Sequence, residues 1–241
     1  MSKRARDGEA RVPLPHDVRV LTHEQAQAFY NRMGKKQDWQ AFYEAKATHD
    51  LIAHASLATA QALFEFGCGT GALAERLLTA HLSPEAQYVA VDSSPIMIRL
   101  AQVRLARFGS RVEVRQTDGS LQFDAPSGLY DRFFSTYVAD LLSAADIAEV
   151  LSEAHRLLRP EGLLCLVSLK PGPTWLSRLL TGLWTRIHQL APSLVGGCRP
   201  LELRVLLQSH PFHLEYVHVV TAFGIPSEII VAKRQPEGWE A

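Results

Sequence analysis

The chain has 241 residues, with 25 Lys plus Arg against 25 Asp plus Glu, so its formal net charge is zero. A hydrophobic fraction of 47% beside 21% charged residues is that of a folded chain with a sizeable core. It excludes a wholly disordered protein and a strongly basic nucleic-acid binder, whose contact surface needs an excess of Lys and Arg.

No apolar run approaches the ~18 residues of a membrane span, and MSKRARDGEARVPLPH has charge but no apolar centre, so no signal peptide is read. Cys68, Cys165 and Cys198 are odd in number and widely spaced. That fits a reducing compartment and a cytoplasmic location, and argues against a disulfide framework or a metal site.

Residues 1–20 are charged, carry Pro13 and Pro15, show no periodicity and are expected to form a flexible tail. Residues 21–241 are read as a single domain. From 22 to 61 the pattern is helical, through Phe29, Tyr30 and Met33 and then Phe42, Tyr43 and Ala47. Strands and helices then alternate. Strands are expected at Ala62–Phe66, Tyr88–Val91, Arg111–Arg115, Leu129–Thr136 and Gly162–Leu169. Helices are expected at Ala72–Leu82, Pro95–Phe108 and Ala144–Leu158. This is the pattern of βαβ units around a parallel, doubly wound sheet. Residues 174–210 read as a helical cap insertion, including a short helix at Leu201–Ser209. Leu214–Ala222 and Glu228–Lys233 close the chain as strands. Their connection, 223–227, is too short for a crossover helix, so they pair antiparallel.

The sharpest feature is Glu65-Phe66-Gly67-Cys68-Gly69-Thr70-Gly71, between the first strand and its helix. Glycines at alternate positions allow a tight turn and leave room for a ligand before the helix N-terminus. A plain tight turn is the bland alternative. Asp92 ends the second strand, where a carboxylate can accept both hydroxyls of a ribose. Asp118-Gly119 follows the third strand, where a carboxylate can accept from an exocyclic amine such as that of adenine. Each acid alone reads equally as a helix cap or turn residue. All three features fall at the carboxyl ends of successive strands, where open α/β sheets bind their ligands.

With these pieces in order, the chain resembles class I S-adenosylmethionine-dependent methyltransferases of small-molecule type. The resemblance rests on EFGCGTG at 65–71, VAVDSSPIMI at 89–98, QTDG at 116–119, YDRFFSTYVADLL at 130–142 and LLRPEGLLCLVSL at 157–169. It implies a Rossmann-like, seven-stranded, mostly parallel sheet with a C-terminal antiparallel strand pair. It also implies an N-terminal helical cover and S-adenosyl-L-methionine as cofactor. Gly67, Cys68, Gly69 and Gly71 would line the methionine and ribose parts, and Glu65 would reach the methionine amino group. Asp92 would hold the ribose with Ser93 and Met97 beside it, and Asp118 and Gly119 would hold the adenine. Ser135, Thr136 and Tyr137 fall where the family meets the methionine end and the acceptor, and Tyr30 is the cover residue expected over the cofactor. An aromatic staple explains Tyr30 equally well.

Candidate bases are Tyr137, Asp140, His155 and His188, none of which the sequence sets against an acceptor. The apolar stripe of 174–194 reads as a core-packing helix, as a lid over an apolar acceptor, or as a helix lying in a membrane interface. The implied function is methyl transfer to a small, apolar or lipid-like molecule, with the neutral charge weighing against a nucleic acid. An NAD-dependent oxidoreductase is the first alternative, since Gly67, Gly69 and Ala72 also satisfy G-x-G-x-x-G/A. A non-catalytic methyltransferase-like binding subunit is the second.

Overall fold

The computed structural model describes residues 21–171 and 198–236. It opens with α1 (His23–Met33), a 3₁₀ stretch (Gly34–Gln40) and α2 (Ala41–His54). Then follow β1 (Ala62–Phe66), α3 (Ala72–Ala80), β2 (Gln87–Asp92), α4 (Pro95–Leu105), β3 (Val112–Gln116), β4 (Tyr130–Thr136), α5 (Ala144–Leu157) and β5 (Leu158–Leu169). After the undescribed stretch come α6 (Leu203–Leu207), β6 (Phe212–Ala222) and β7 (Ile225–Arg234). Local chemistry sets the helix starts. Thr22 with Gln25 and Ser143 with Asp146 form capping boxes at α1 and α5. Ser94 caps α4 ahead of Pro95.

The seven strands form one sheet in the order β3-β2-β1-β4-β5-β7-β6. β1 pairs parallel with both β2 and β4, and β7 runs antiparallel to β5 and β6. Both faces of the central strands are buried, so they read as continuous apolar runs. The strand period of two divides the core. Leu63, Phe134, Ile229 and Val231 face α2, α3 and α4 through Leu51, Leu77 and Ala101. Phe64, Phe133, Ile230 and Ala232 face α5 and α6 through Ile147, Leu151 and Leu203.

Several expected boundaries move, two of them for visible reasons. Strand β5 starts at Leu158, because Leu158 already pairs with Tyr130 across a bulge. The β6–β7 connection is Phe223-Gly224 alone, with φ of 51° and 81°, a tight hairpin turn. Pro226 is tolerated inside β7 because the ladder to β5 begins only at Ser227↔Leu169. The expected helical stripe at 174–194 and its membrane contact lie outside the described residues, as does the tail at 1–20. Among the described residues no helix is long and apolar enough to cross a membrane.

Candidate functional site

The chain reverses its winding direction between β1 and β4, and the carboxyl ends of these strands part to leave a crevice. A cavity of about 230 Å³ lies there, roofed by α1, the 34–40 stretch and the start of α2.

One wall is backbone. The amides of Gly67 and Cys68 donate to Val91 O at 2.9 and 3.0 Å, and Gly71 N–H donates to Cys68 O at 2.9 Å. The turn needs left-handed backbone at Gly67, φ 76°, where a Cβ would stand 2.2 Å from Val138 Cγ2. Asp92 ties this turn to the next. One carboxylate oxygen accepts from Gly69 N–H at 2.9 Å and the other from Ser94 N–H at 2.8 Å. Burial raises the Asp92 carboxyl, and the amides of Ser94, Gly69 and Ser93 oppose that rise. Glu65 is fully buried and accepts from the Tyr88 hydroxyl at 2.9 Å. Burial first, and the Asp92 charge after it, push Glu65 up to about 8.

The roof is pinned by side chains. Arg104 donates to Thr70 Oγ1 at 2.7 Å and to Asp38 at 2.6 Å, and the Thr70 hydroxyl donates to Asp38 at 2.6 Å. Burial works to raise Asp38, but the Arg104 and Thr70 hydrogen bonds bring it below the usual carboxylate range. Gln27 donates to Ser93 O at 2.6 Å, and the Ser94 hydroxyl donates to Asn31 at 2.7 Å. The Gln37 amide lies over Gly69, and its buried Oε1 has no hydrogen-bond partner.

The opposite wall is aromatic and apolar: Tyr30, Tyr43, Glu44, Tyr137, Leu142 and Cys198. Ring centroids run from the exposed Phe223 to Phe42 (5.3 Å), to Tyr43 (5.1 Å) and to Tyr137 (5.8 Å), a continuous aromatic path from surface to cavity. Tyr137 has φ 57°, and its hydroxyl shares a hydrogen bond with Ser227 at 2.9 Å. Burial raises its phenol well above 10, so it stays protonated at neutral pH. The Tyr30 hydroxyl meets Cys198 Sγ at 4.0 Å.

Of the residues singled out in the sequence, Tyr30, Glu65, Gly67, Cys68, Asp92, Ser93, Gly119, Thr136 and Tyr137 come together on this cavity. Five do not line it. Gly69 gives its amide to Asp92 beneath Gln37. Gly71 begins α3 against Ala101 and Leu105. Met97 is buried at the foot of α4. Ser135 is buried in β4, one residue before Thr136. Asp118 is exposed and accepts from Ser120 N–H at 2.8 Å. Among the candidate bases, Asp140 is fully buried and accepts from the Ser168 hydroxyl and Leu169 N–H, burial pushing it to about 7. His155 sits on α5, where its Nε2 meets Gln235 O, away from the cavity. His188 lies outside the described residues.

Sequence reasoning missed Glu44, Gln37 and the Asp38–Arg104–Thr70 cluster. Thr70 lies in the glycine motif, but no motif marks Gln37, Asp38, Glu44 or Arg104, which come from segments distant from it. Three arginines of the segment 104–115 are also engaged. Arg104 is bound as above, Arg111 donates to Ser83 O at 2.6 Å, and Arg115 is bound to Glu113.

The residues present fit a nucleotide-type ligand that carries an amino cation. Glu65 and Asp92 are two enclosed carboxylates, and neither is paired with a cation among the described residues. The turn between them carries no Cβ at Gly67 and Gly69, and Gln37 Oε1 is an unpartnered acceptor above it.

Sheet, switch point and turn define a ligand-binding Rossmann-like domain. Residues 63–162 match the family described as a methyltransferase domain. Trans-aconitate 2-methyltransferase of Azoarcus sp. (strain BH72) is 34% identical over 56% of this chain and 54% of its own. The malonyl-acyl-carrier-protein O-methyltransferase of Laribacter hongkongensis (strain HLHK9) is 34% identical over 51% of this chain and 40% of its own. The chain therefore spans about half or less of the length of these curated relatives. The N-methyltransferase NodS from Bradyrhizobium japonicum WM9, solved in complex with S-adenosyl-L-homocysteine, shares the fold at TM-score 0.57 and 19% identity, over 78% of this chain and 86% of that one. The matched segment and these relatives support a class I S-adenosylmethionine-dependent methyltransferase. S-adenosylmethionine is the cofactor of that family.

Proposed function

We propose that the chain transfers a methyl group from S-adenosylmethionine to a small molecule with an apolar body. The observation that carries this reading is the two-walled cavity, with a glycine turn and two carboxylates facing an aromatic wall. A relative named for trans-aconitate supports a small acceptor. The aromatic path from Phe223 to Tyr137 supports an apolar one.

When bound, the cofactor supplies a methyl group on a sulfonium, a leaving group already activated by its charge. The protein then has mainly to position and to dry the site. Asp92 would hold the ribose hydroxyls and Glu65 the amino cation, with the turn 67–71 against the chain between them. Tyr30, Tyr43 and Tyr137 hold the acceptor and exclude water. Alignment of this kind contributes on the order of 7–11 kcal/mol to a bimolecular reaction.

The test has two parts. Calorimetry compares binding of S-adenosylhomocysteine with binding of NADH. Cofactor labelled in its methyl group is then incubated with lipid, small polar, protein and nucleic-acid fractions of an extract. Homocysteine-conjugate binding with label entering the lipid or small-molecule fractions is expected. Tight NADH binding without it, or label only in nucleic acid, would overturn the proposal.

A further inference from the structure

We propose that Glu44 is the base of this reaction, and that the acceptor's nucleophilic atom carries an exchangeable proton, as in a phenol, an enol or an amine. The inference rests on the methyl-transfer reading and narrows its substrate class.

Glu44 lies in the first turn of α2 and lines the acceptor side of the cavity. The three other carboxylates lining the cavity belong to the donor wall and the roof. Asp38 is held by Arg104 and Thr70, Glu65 by Tyr88, and Asp92 by two backbone amides. Glu44 has the hydroxyl of its neighbour Tyr43. The titratable groups that face it are Tyr30 on α1, Asp38 in the 34–40 stretch, Tyr43 on its own helix, and Tyr137, Asp140 and Cys198 across the cavity. None of these is a cation. Burial keeps the tyrosines and the thiol protonated at neutral pH. Asp140 is turned into the protein, with its carboxylate on Ser168 and Leu169.

Burial, with the Asp38 charge adding to it, pushes Glu44 up to about 7. A base poised near the working pH both exists in its charged form and takes a proton readily. The step balances. The acceptor's lone pair forms the new bond to the methyl carbon, and the carbon–sulfur bond breaks with its electron pair going to sulfur. The acceptor's O–H or N–H proton moves to a Glu44 carboxylate oxygen and from there to water. A carboxylate acceptor would have no proton to give, and the Glu44 charge would repel it.

The test repeats the labelled-methyl assay between pH 5.5 and 9 with the wild-type chain, Glu44→Gln and Glu44→Asp. Calorimetry with S-adenosylhomocysteine at pH 7 serves as the check on folding and donor binding. Wild-type incorporation should rise about tenfold per pH unit and level off above about 7. Glu44→Gln should lose about 100-fold or more of that rate together with the pH dependence. Glu44→Asp should keep the rise at an intermediate rate, and all three should bind S-adenosylhomocysteine within about threefold of one another. A Glu44→Gln chain with wild-type rate and profile overturns the proposal. So does a loss of homocysteine-conjugate binding equal to the loss of incorporation, which marks a structural role. Label recovered only as base-labile methyl esters overturns the acceptor class. A wild-type chain that binds S-adenosylhomocysteine but labels no fraction removes the methyl-transfer reading and this proposal with it.

Discussion

The two walls of the cavity are built on different principles. On the donor side the sheet edge does the work. The acidic residues come from β1 and β2, and backbone amides of the turns after both strands hold Asp92. On the acceptor side the wall is assembled from side chains of α1, α2, the end of β4 and Cys198, spread from Tyr30 to Cys198 along the chain. A backbone-built wall tolerates little change at its glycines. A side-chain wall tolerates more, because each ring can be replaced without moving the chain.

The sharpest way to break that contrast is Gly67→Ala. The substitution forces a left-handed residue to carry a Cβ and drives that Cβ into Val138. Strain of about 1–2 kcal/mol and overpacking of about 1–3 kcal/mol both apply. Urea unfolding should show a loss of about 2–4 kcal/mol, and adding Val138→Ala should recover only the overpacking part. Full recovery would mean that the backbone conformation costs nothing there. Next in size is Asp92→Asn, which offers an amide N–H₂ where a backbone N–H must be accepted. The affinity for S-adenosylhomocysteine measured by calorimetry should fall about 10- to 100-fold, the scale of one or two charge-assisted hydrogen bonds.

The same contrast explains what was legible in the sequence. Strands β1 to β5 and their helices could be read because period-two and helical apolar patterns alternate in order. The donor wall could be read because glycine spacing and strand-end acids are local features. Glu44 could not. It sits beside the apolar positions Tyr43 and Ala47 and looks like any helix-surface acid until the fold sets it opposite Tyr137 and Cys198. Nothing in the sequence around Arg104 sets it apart, yet it is the residue that fastens the roof to the turn. The two-residue hairpin was hidden by Pro226, which resembles a loop residue until β5 is seen to stop one step short of it.

Enclosed acids should also leave a mark on stability. Glu44 and Asp140 at about 7 and Glu65 at about 8 lie above their unfolded values. A carboxyl raised by folding stabilises the fold fully below its unfolded value, and that contribution is lost as pH rises through the folded one. The melting temperature without ligand should therefore fall between about pH 5 and pH 8. Glu65→Gln should flatten the upper part of that fall, and an unchanged slope would assign it elsewhere. A smaller effect is expected at the roof. Asp38→Asn weakens its ion pair with Arg104, a half-exposed pair worth about 0.5–1 kcal/mol. Hydrogen exchange should quicken in residues 34–40, with the sheet unaffected.

The smallest effect separates family expectation from geometry. The resemblance gives Asp118 the adenine amino group, yet here the carboxylate is exposed and caps Ser120 N–H, while Thr117, Gly119 and Ser120 line the cavity. If the backbone of this turn shapes the adenine end, Asp118→Ala should change S-adenosylhomocysteine affinity by less than about threefold, since an exposed turn hydrogen bond contributes well under 1 kcal/mol. If the carboxylate swings in to meet the ligand, the loss should approach tenfold, and Asp118→Asn should suffer much of it, because the amide oxygen is a weaker acceptor than a carboxylate. Measuring both variants on one calorimeter decides whether the third strand contributes to the donor wall through its backbone, as the first turn does, or through a side chain.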